Sequence, residues 1–166
     1  MGRILCCSFI PIKWDMDDPP YTFRGDDPHY RNKNDICDDS KLVIAIRNEL
    51  EAVDMLVAHN GKLFDRKMLN ARLFKAGERP LQPKWFLDTM WTVRTHMRIS
   101  SKLANLQQYA GLSEEKTPIT WDNWQRAGAF NRDAMSEVVK HCEQDVKVLR
   151  ELYWRVLPYT RTLCRA

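Results

Sequence analysis

No stretch of this chain is apolar over anything near the roughly 20 residues that a helix needs to cross a bilayer, so no membrane association is expected. The opening residues Met1-Gly2-Arg3-Ile4-Leu5-Cys6-Cys7 hold one arginine and a short apolar run, without a small-residue cleavage site, which argues against a signal peptide. A myristoylation signal starting at Gly2 requires serine or threonine where Cys6 stands. There is no C-x-x-C pair, so a structural zinc site has little support. The five cysteines, Cys6, Cys7, Cys37, Cys142 and Cys164, are odd in number and lack paired spacing. That argues against a disulfide framework and for reduced thiols in a cytoplasm. Internal repeats and low-complexity segments are also absent.

What is present suits a single globular domain over residues 1–166, with 44% hydrophobic residues. A net charge of +4 permits a polyanionic partner without requiring one, and Arg155, Arg161 and Arg165 add basic character near the C-terminus. Ile4 to Ile10 is apolar almost throughout, as in a strand covered on both faces. Asp15 to Pro20 reads as a turn and Tyr21 to Arg24 as a strand pairing back in a hairpin. Residues 25–35 read as a polar loop. Asp39 or Ser40 caps a helix to about Ala52, with Leu42, Val43, Ile46, Leu50 and Val53 at helical spacing. Met55 to Ala58 is a short apolar strand. A helix carrying Met68, Leu69 and Phe74 follows and stops at Gly77. Trp85 to Leu87 is a further strand, ending at Asp88-Thr89. Ser100 or Ser101 caps a helix closed by Gly111, residues 113–130 read as irregular, and a long helix runs from about Asp133 to Val156. Short apolar strands interleaved with helices indicate an α/β fold.

Two constellations could carry chemistry. In His59-Asn60-Gly61-Lys62-Leu63-Phe64-Asp65 an apolar strand ends, a glycine turn follows, and an acid stands near the start of a helix. Ligands of open α/β sheets bind at strand ends. Asp65 can equally do no more than complement the helix dipole. The second constellation, His141-Cys142-Glu143-Gln144-Asp145, lies on the last helix, whose apolar stripe includes Met135, Val138, Val139, Cys142, Val146, Leu149 and Leu152. At ~100° per residue Asp145 falls within that stripe and His141 at its border, one turn away on the same face. A carboxylate facing a core must be paired, protonated or bound to a metal. A His–Asp hydrogen bond closing the edge of the core satisfies that rule as well as a metal does.

Together these pieces resemble the DEDD superfamily of 3′→5′ exonucleases, named for four acids in three motifs. Its second motif is similar to Asn60-Gly61-x-x-Phe64-Asp65, and its third, Tyr-x-x-x-Asp-Val, to His141 through Asp145-Val146. His141 stands where tyrosine is usual, and another branch of the superfamily has histidine one residue further from its aspartate. Leu87-Asp88-Thr89 and the helix from Ser101-Lys102-Leu103 to Leu112 resemble the elements that come between. The resemblance implies a ribonuclease H-like mixed sheet flanked by helices, in a bacterial or phage-infected cytoplasm. It also implies phosphodiester hydrolysis by two divalent cations, Mg²⁺ or Mn²⁺, ~3.5–4 Å apart. Asp145 would bind metal directly, Asp65 would hold the second ion through water, and His141 would orient or deprotonate the attacking water. Asn60, Phe64 and Lys102 would contact the 3′-terminal nucleotide of single-stranded DNA or another 3′ end, with RNA as a further candidate. Phe64 can also be plain core packing, the default taken here for Trp85, Trp91, Trp121 and Trp124.

The superfamily's first motif, Asp-x-Glu on a strand inside the sheet, has no counterpart here. Asp15, Asp17 and Asp18 read as solvated turn residues. Without that strand, its two neighbours are expected to lose ladder partners. The strand could belong to an upstream segment or to a partner chain, or the domain could have become a nucleic-acid-binding or assembly module. A transposase-like nuclease of related fold is a further alternative, which the Asn-Gly-x-x-Phe-Asp pattern disfavours.

Overall fold

The computed structural model describes residues 2–12, 18–32, 34–115 and 117–160. Asp15, Asp17, Arg161, Arg165 and Cys164, all considered above, lie outside the described residues. The chain runs β1 (Cys6–Phe9), β2 (Tyr21–Arg24), α1 (Ser40–Glu51), β3 (Met55–Ala58), α2 (Asp65–Lys75) and β4 (Trp85–Asp88). Then come α3 (Thr89–His96), α4 (Leu103–Ala110), α5 (Trp121–Gly128) and α6 (Arg132–Thr160). No helix among the described residues is long and apolar enough to cross a membrane.

The strands form two separate ribbons. β1 and β2 pair antiparallel, from Cys6 opposite Arg24 to Phe9 opposite Tyr21. Cross-strand pairs support the register: the Ser8 and Thr22 hydroxyls are 2.8 Å apart, and the Phe9 and Tyr21 rings stack at 5.4 Å. β3 and β4 pair in parallel, from Met55 opposite Trp85 to Ala58 opposite Asp88. Among the described residues β1 and β3 form no ladder with each other, so each has one hydrogen-bonded edge. Yet both ribbons lie on one core. Leu42, Val43 and Ile46 of α1 and Leu69 and Leu73 of α2 pack with Leu56, and with Cys7, Phe9, Phe23 and Phe86 of the two ribbons. The fold is thus the expected mixed α/β arrangement of small sheets flanked by helices.

The other face is covered mainly by α6. Its first half packs Met135, Val138 and Cys142 with Leu5, Cys6 and the α5 residue Ala127. Its second half packs Val148, Leu152 and Val156 with Leu87, Val93 of α3 and Leu106 of α4. One helix therefore spans both ribbons.

A buried ion pair ties the opposite layer together. Arg72 of α2 donates to both carboxylate oxygens of Asp39, at 3.0 and 2.9 Å from Nε and again from Nη2. Ile4 N–H donates to the same carboxylate at 2.8 Å. Asp39 does precede α1, but its side chain makes no cap bond; that carboxylate is already committed to Arg72 and Ile4. Asp38 accepts from Ser40 N–H instead, at 2.9 Å. Other helix ends follow the sequence closely. Gly77 (φ 71°) and Gly111 (φ 58°) take the left-handed conformation that ends α2 and α4.

Several expectations need correction. The stretch expected to be irregular contains α5, whose N-cap Thr120 accepts from Asn123 N–H at 3.2 Å. The helix α3 directly follows β4, because the Asp88 carboxylate caps it by accepting from Trp91 N–H at 3.2 Å. Before α4 the capping position is Lys102 rather than a serine, and Ser100 Oγ accepts from Lys102 N–H at 3.5 Å. Trp85, Trp91 and Trp121 are exposed rather than core residues, as is Phe64. Each stands at or near an element's start, where one turn of backbone does not enclose a side chain that large.

Both partners of the Asp39–Arg72 pair are about 95% shielded from solvent, so removing one leaves an uncompensated buried charge. We expect Arg72→Ala to cost about 3–5 kcal/mol. Lys140→Ala, which breaks an exposed pair, should cost no more than ~1 kcal/mol. Urea unfolding of the two variants checks the contrast.

Candidate active site

The turn after β3 is shaped by backbone constraints before any chemistry. Asn60 has φ 64°, a conformation asparagine tolerates better than most residues. A Cβ on Gly61 would lie 2.4 Å from Ala58 Cβ and 3.0 Å from the Phe86 ring, so any larger residue would push the turn off the sheet. The same position approaches Asp65 Oδ2 to 3.4 Å, which brings the carboxylate back over the strand end. Asp88 at the end of β4 holds this turn: its carboxylate accepts from Asn60 N–H at 3.0 Å and Lys62 N–H at 3.3 Å, besides capping α3. Next to it the buried Thr89 hydroxyl donates to Ala58 O at 3.2 Å, so at 2.9 Å it accepts from His59 Nδ1–H.

Asp65 opens α2, where its charge suits the helix dipole. Its surface is open to water, yet the carboxylate is crowded by protein atoms on the side facing the turn. That desolvation, with the like charge of Asp88, raises its pKa above the ordinary value. Because solvent still reaches the group, screening keeps the energetic consequence small. Phe64 beside it is 56% exposed.

The second constellation is built on α6. His141 is buried, and its Nδ1 lies 2.8 Å from Thr117 O and 3.2 Å from the Thr117 hydroxyl. Donation from Nδ1–H to the carbonyl fixes the tautomer and turns Nε2 toward Asp145 Oδ2, 3.6 Å away. Trp124 of α5 packs edge-on against the ring at 6.2 Å. Asp145 lies on the stretch of α6 between residues bound to the β1–β2 ribbon and residues packed with β4. On one side Cys142 meets Cys6 at 3.7 Å and Glu143 accepts from the Thr22 hydroxyl at 2.8 Å. On the other, Val148 packs in the cluster with Leu87. The Cys6 S–H donates to Cys142 Sγ, which lowers the Cys142 thiol and raises the Cys6 thiol from their usual values.

The structure thus brings His141 and Asp145 together, sets Asn60, Phe64 and Asp65 along one turn, and leaves Lys102 exposed at the start of α4. Asp88, Thr117 and Trp124 belong to the site's construction although nothing in the motifs singles out their contacts. The carboxylate oxygens of Asp65 and Asp145 have the right chemistry for Mg²⁺ or Mn²⁺. Their number is too small: no group of three or more metal-ligating side chains exists among the described residues. A two-cation centre is therefore not complete in these residues alone.

A family model described as the RNase H superfamily matches residues 21–157. The chain belongs to the RNase H superfamily. Membership points to nuclease-like activity at that coarse level, in a superfamily whose nucleases usually use divalent metals. No curated protein matches the chain.

Asp65 supplies a stability prediction with a definite sign. Its folded pKa is raised, so between the unfolded and folded values the native state holds the extra proton, and stability falls as pH rises through that window. Asp65→Asn should therefore raise the melting temperature slightly at neutral pH, and the gain should vanish once pH drops below the unfolded carboxyl range. Thermal melts across pH 3–7 test this; a variant less stable than the wild type at pH 7 contradicts it.

Proposed function

We propose that this member of the RNase H superfamily is a 3′→5′ exonuclease that hydrolyses phosphodiester bonds at the 3′ end of DNA or RNA, with its sheet completed by a further strand between β1 and β3. The observation that carries this reading is His141 and Asp145 meeting at 3.6 Å on α6, with Asp65 held over the end of β3 beside Gly61. Asp65 comes from the turn after β3 and Asp145 from the middle of α6, the two positions that match the acidic motifs. Asn60, Gly61, Phe64 and Asp65 also fit the pattern of a 3′-end binding turn, and Phe64 is exposed enough to stack on a base. Such stacking is worth about 1–3 kcal/mol per base.

Asp65 and Asp145 would contribute carboxylate oxygens to Mg²⁺ or Mn²⁺, and such cations supply polarisation of the phosphate and a nucleophile at neutral pH. His141, oriented by Thr117 O, would hold or accept the proton of the attacking water through Nε2. The shortfall in metal ligands and the open seam have a common remedy: a strand bearing further acids, from an upstream segment or a partner chain. An Asp-x-Glu pair on that strand would supply the oxygens that the described residues lack.

A second reading, a nucleic-acid-binding or assembly module without catalysis, is favoured by the same shortfall of ligands. Labelled single-stranded DNA incubated with Mg²⁺ or Mn²⁺ separates the two, using the chain with its upstream coding segment or its partner present. We expect shortening from the 3′ end that Asp145→Ala abolishes. Cleavage indifferent to that substitution rules out this site, and binding without cleavage supports the module.

A further inference from the structure

We propose that Cys6 and Cys142 form a reversible disulfide that staples the β1–β2 ribbon to α6. Their sulfurs are 3.7 Å apart although the residues are separated by 136 positions. A disulfide needs about 2.05 Å between sulfurs, so the pair must close by roughly 1.7 Å. Strand alternation explains why Cys6 takes this role and its neighbour does not. Successive residues of β1 point to opposite faces: Cys7 packs with the α1–α2 core, Cys6 with Cys142 and the α6 core. Cys37 is exposed, on the polar loop before α1.

Both sulfurs belong to half-buried residues, which a small oxidant can reach and a large one cannot. Hydrogen peroxide is the oxidant class that fits. The Cys142 thiolate attacks one peroxide oxygen, breaking the O–O bond to give a sulfenic acid and hydroxide. Cys6 then attacks the sulfenic sulfur, the S–S bond forms, and the displaced oxygen leaves as water with the Cys6 proton. In total the two thiols lose two electrons and two protons, and peroxide becomes two waters. A dithiol reductant reverses the step.

The link would join β1, which among the described residues has a ladder on one edge, to the helix that carries His141 and Asp145. It would also close a long loop in the unfolded chain, the condition under which cross-links stabilise most. The proposal stands apart from the nuclease reading, since it needs only the thiol pair.

The test is to treat the full chain with hydrogen peroxide, alkylate the remaining thiols, digest, and map peptides by mass spectrometry. We expect a Cys6 peptide joined to a Cys142 peptide within one chain, lost on dithiothreitol treatment, with a melting temperature several degrees above the reduced form. Cys142→Ser should lose both the link and the gain, and Cys7→Ser should retain both. Alkylation of Cys6 and Cys142 after exposed Cys37 has been oxidised would overturn the proposal. So would a Cys6–Cys7 link, a link between chains, or Cys142 recovered as sulfinic acid.

Discussion

Every β-strand presents two rows of backbone donors and acceptors, and among the described residues each strand here has a ladder on one of them. β1 pairs with β2 and β3 with β4, and among the described residues the two ribbons form no ladder with each other. Unpaired backbone groups that are shielded from water carry a cost comparable to a lost hydrogen bond. An open edge is also a template for another strand. Side-chain packing, not the backbone ladder, therefore holds the two ribbons side by side. Leu42, Val43 and Ile46 form one floor under both, and α6 crosses both from above.

That division assigns separate work to the polar contacts. The buried Asp39–Arg72 pair joins the start of α1 to α2 and, through Ile4 N–H, anchors the segment leading into β1. Asp88 joins the other ribbon to the Asn60–Lys62 turn and to α3 with a single carboxylate. Glu143 and Cys142 attach the first ribbon to α6. The candidate chemistry occupies what lies between these anchors. Asp65 is drawn toward the strand end because Gly61 has no Cβ, and Asp145 stands on the stretch of α6 that passes from one ribbon to the other.

Much of this was legible in the residues. Apolar runs locate β1, β3 and β4, the hairpin reading locates β2, and Leu42, Val43 and Ile46 at helical spacing locate α1 with its buried face. The stripe on the last helix places His141 and Asp145 on one side, and they are found 3.6 Å apart. What escaped had local causes. Thr89 to His96 is rich in threonine, a poor helix former, and α3 exists because Asp88 caps it. The helix α5 is announced only by Thr120 at its cap, with Trp124 and Ala127 three residues apart. The Thr117–His141 bond crosses 24 residues and leaves no periodic trace. Nor could spacing show that Asp39 serves a buried arginine instead of its own helix. Tryptophans expected inside are outside because hydrophobicity alone does not state which face of a short element meets the core.

The central claim is that, among the described residues, β1 pairs only with β2 and β3 only with β4, and amide hydrogen exchange on the isolated chain tests it most directly. Within Cys6–Phe9 and Met55–Ala58, N–H groups bonded to β2 or β4 should exchange slowly. Those on the opposite edge of each strand should exchange orders of magnitude faster. Uniform slow exchange along both strands in the isolated chain would contradict the account, because it would mean that the ribbons already pair across the seam.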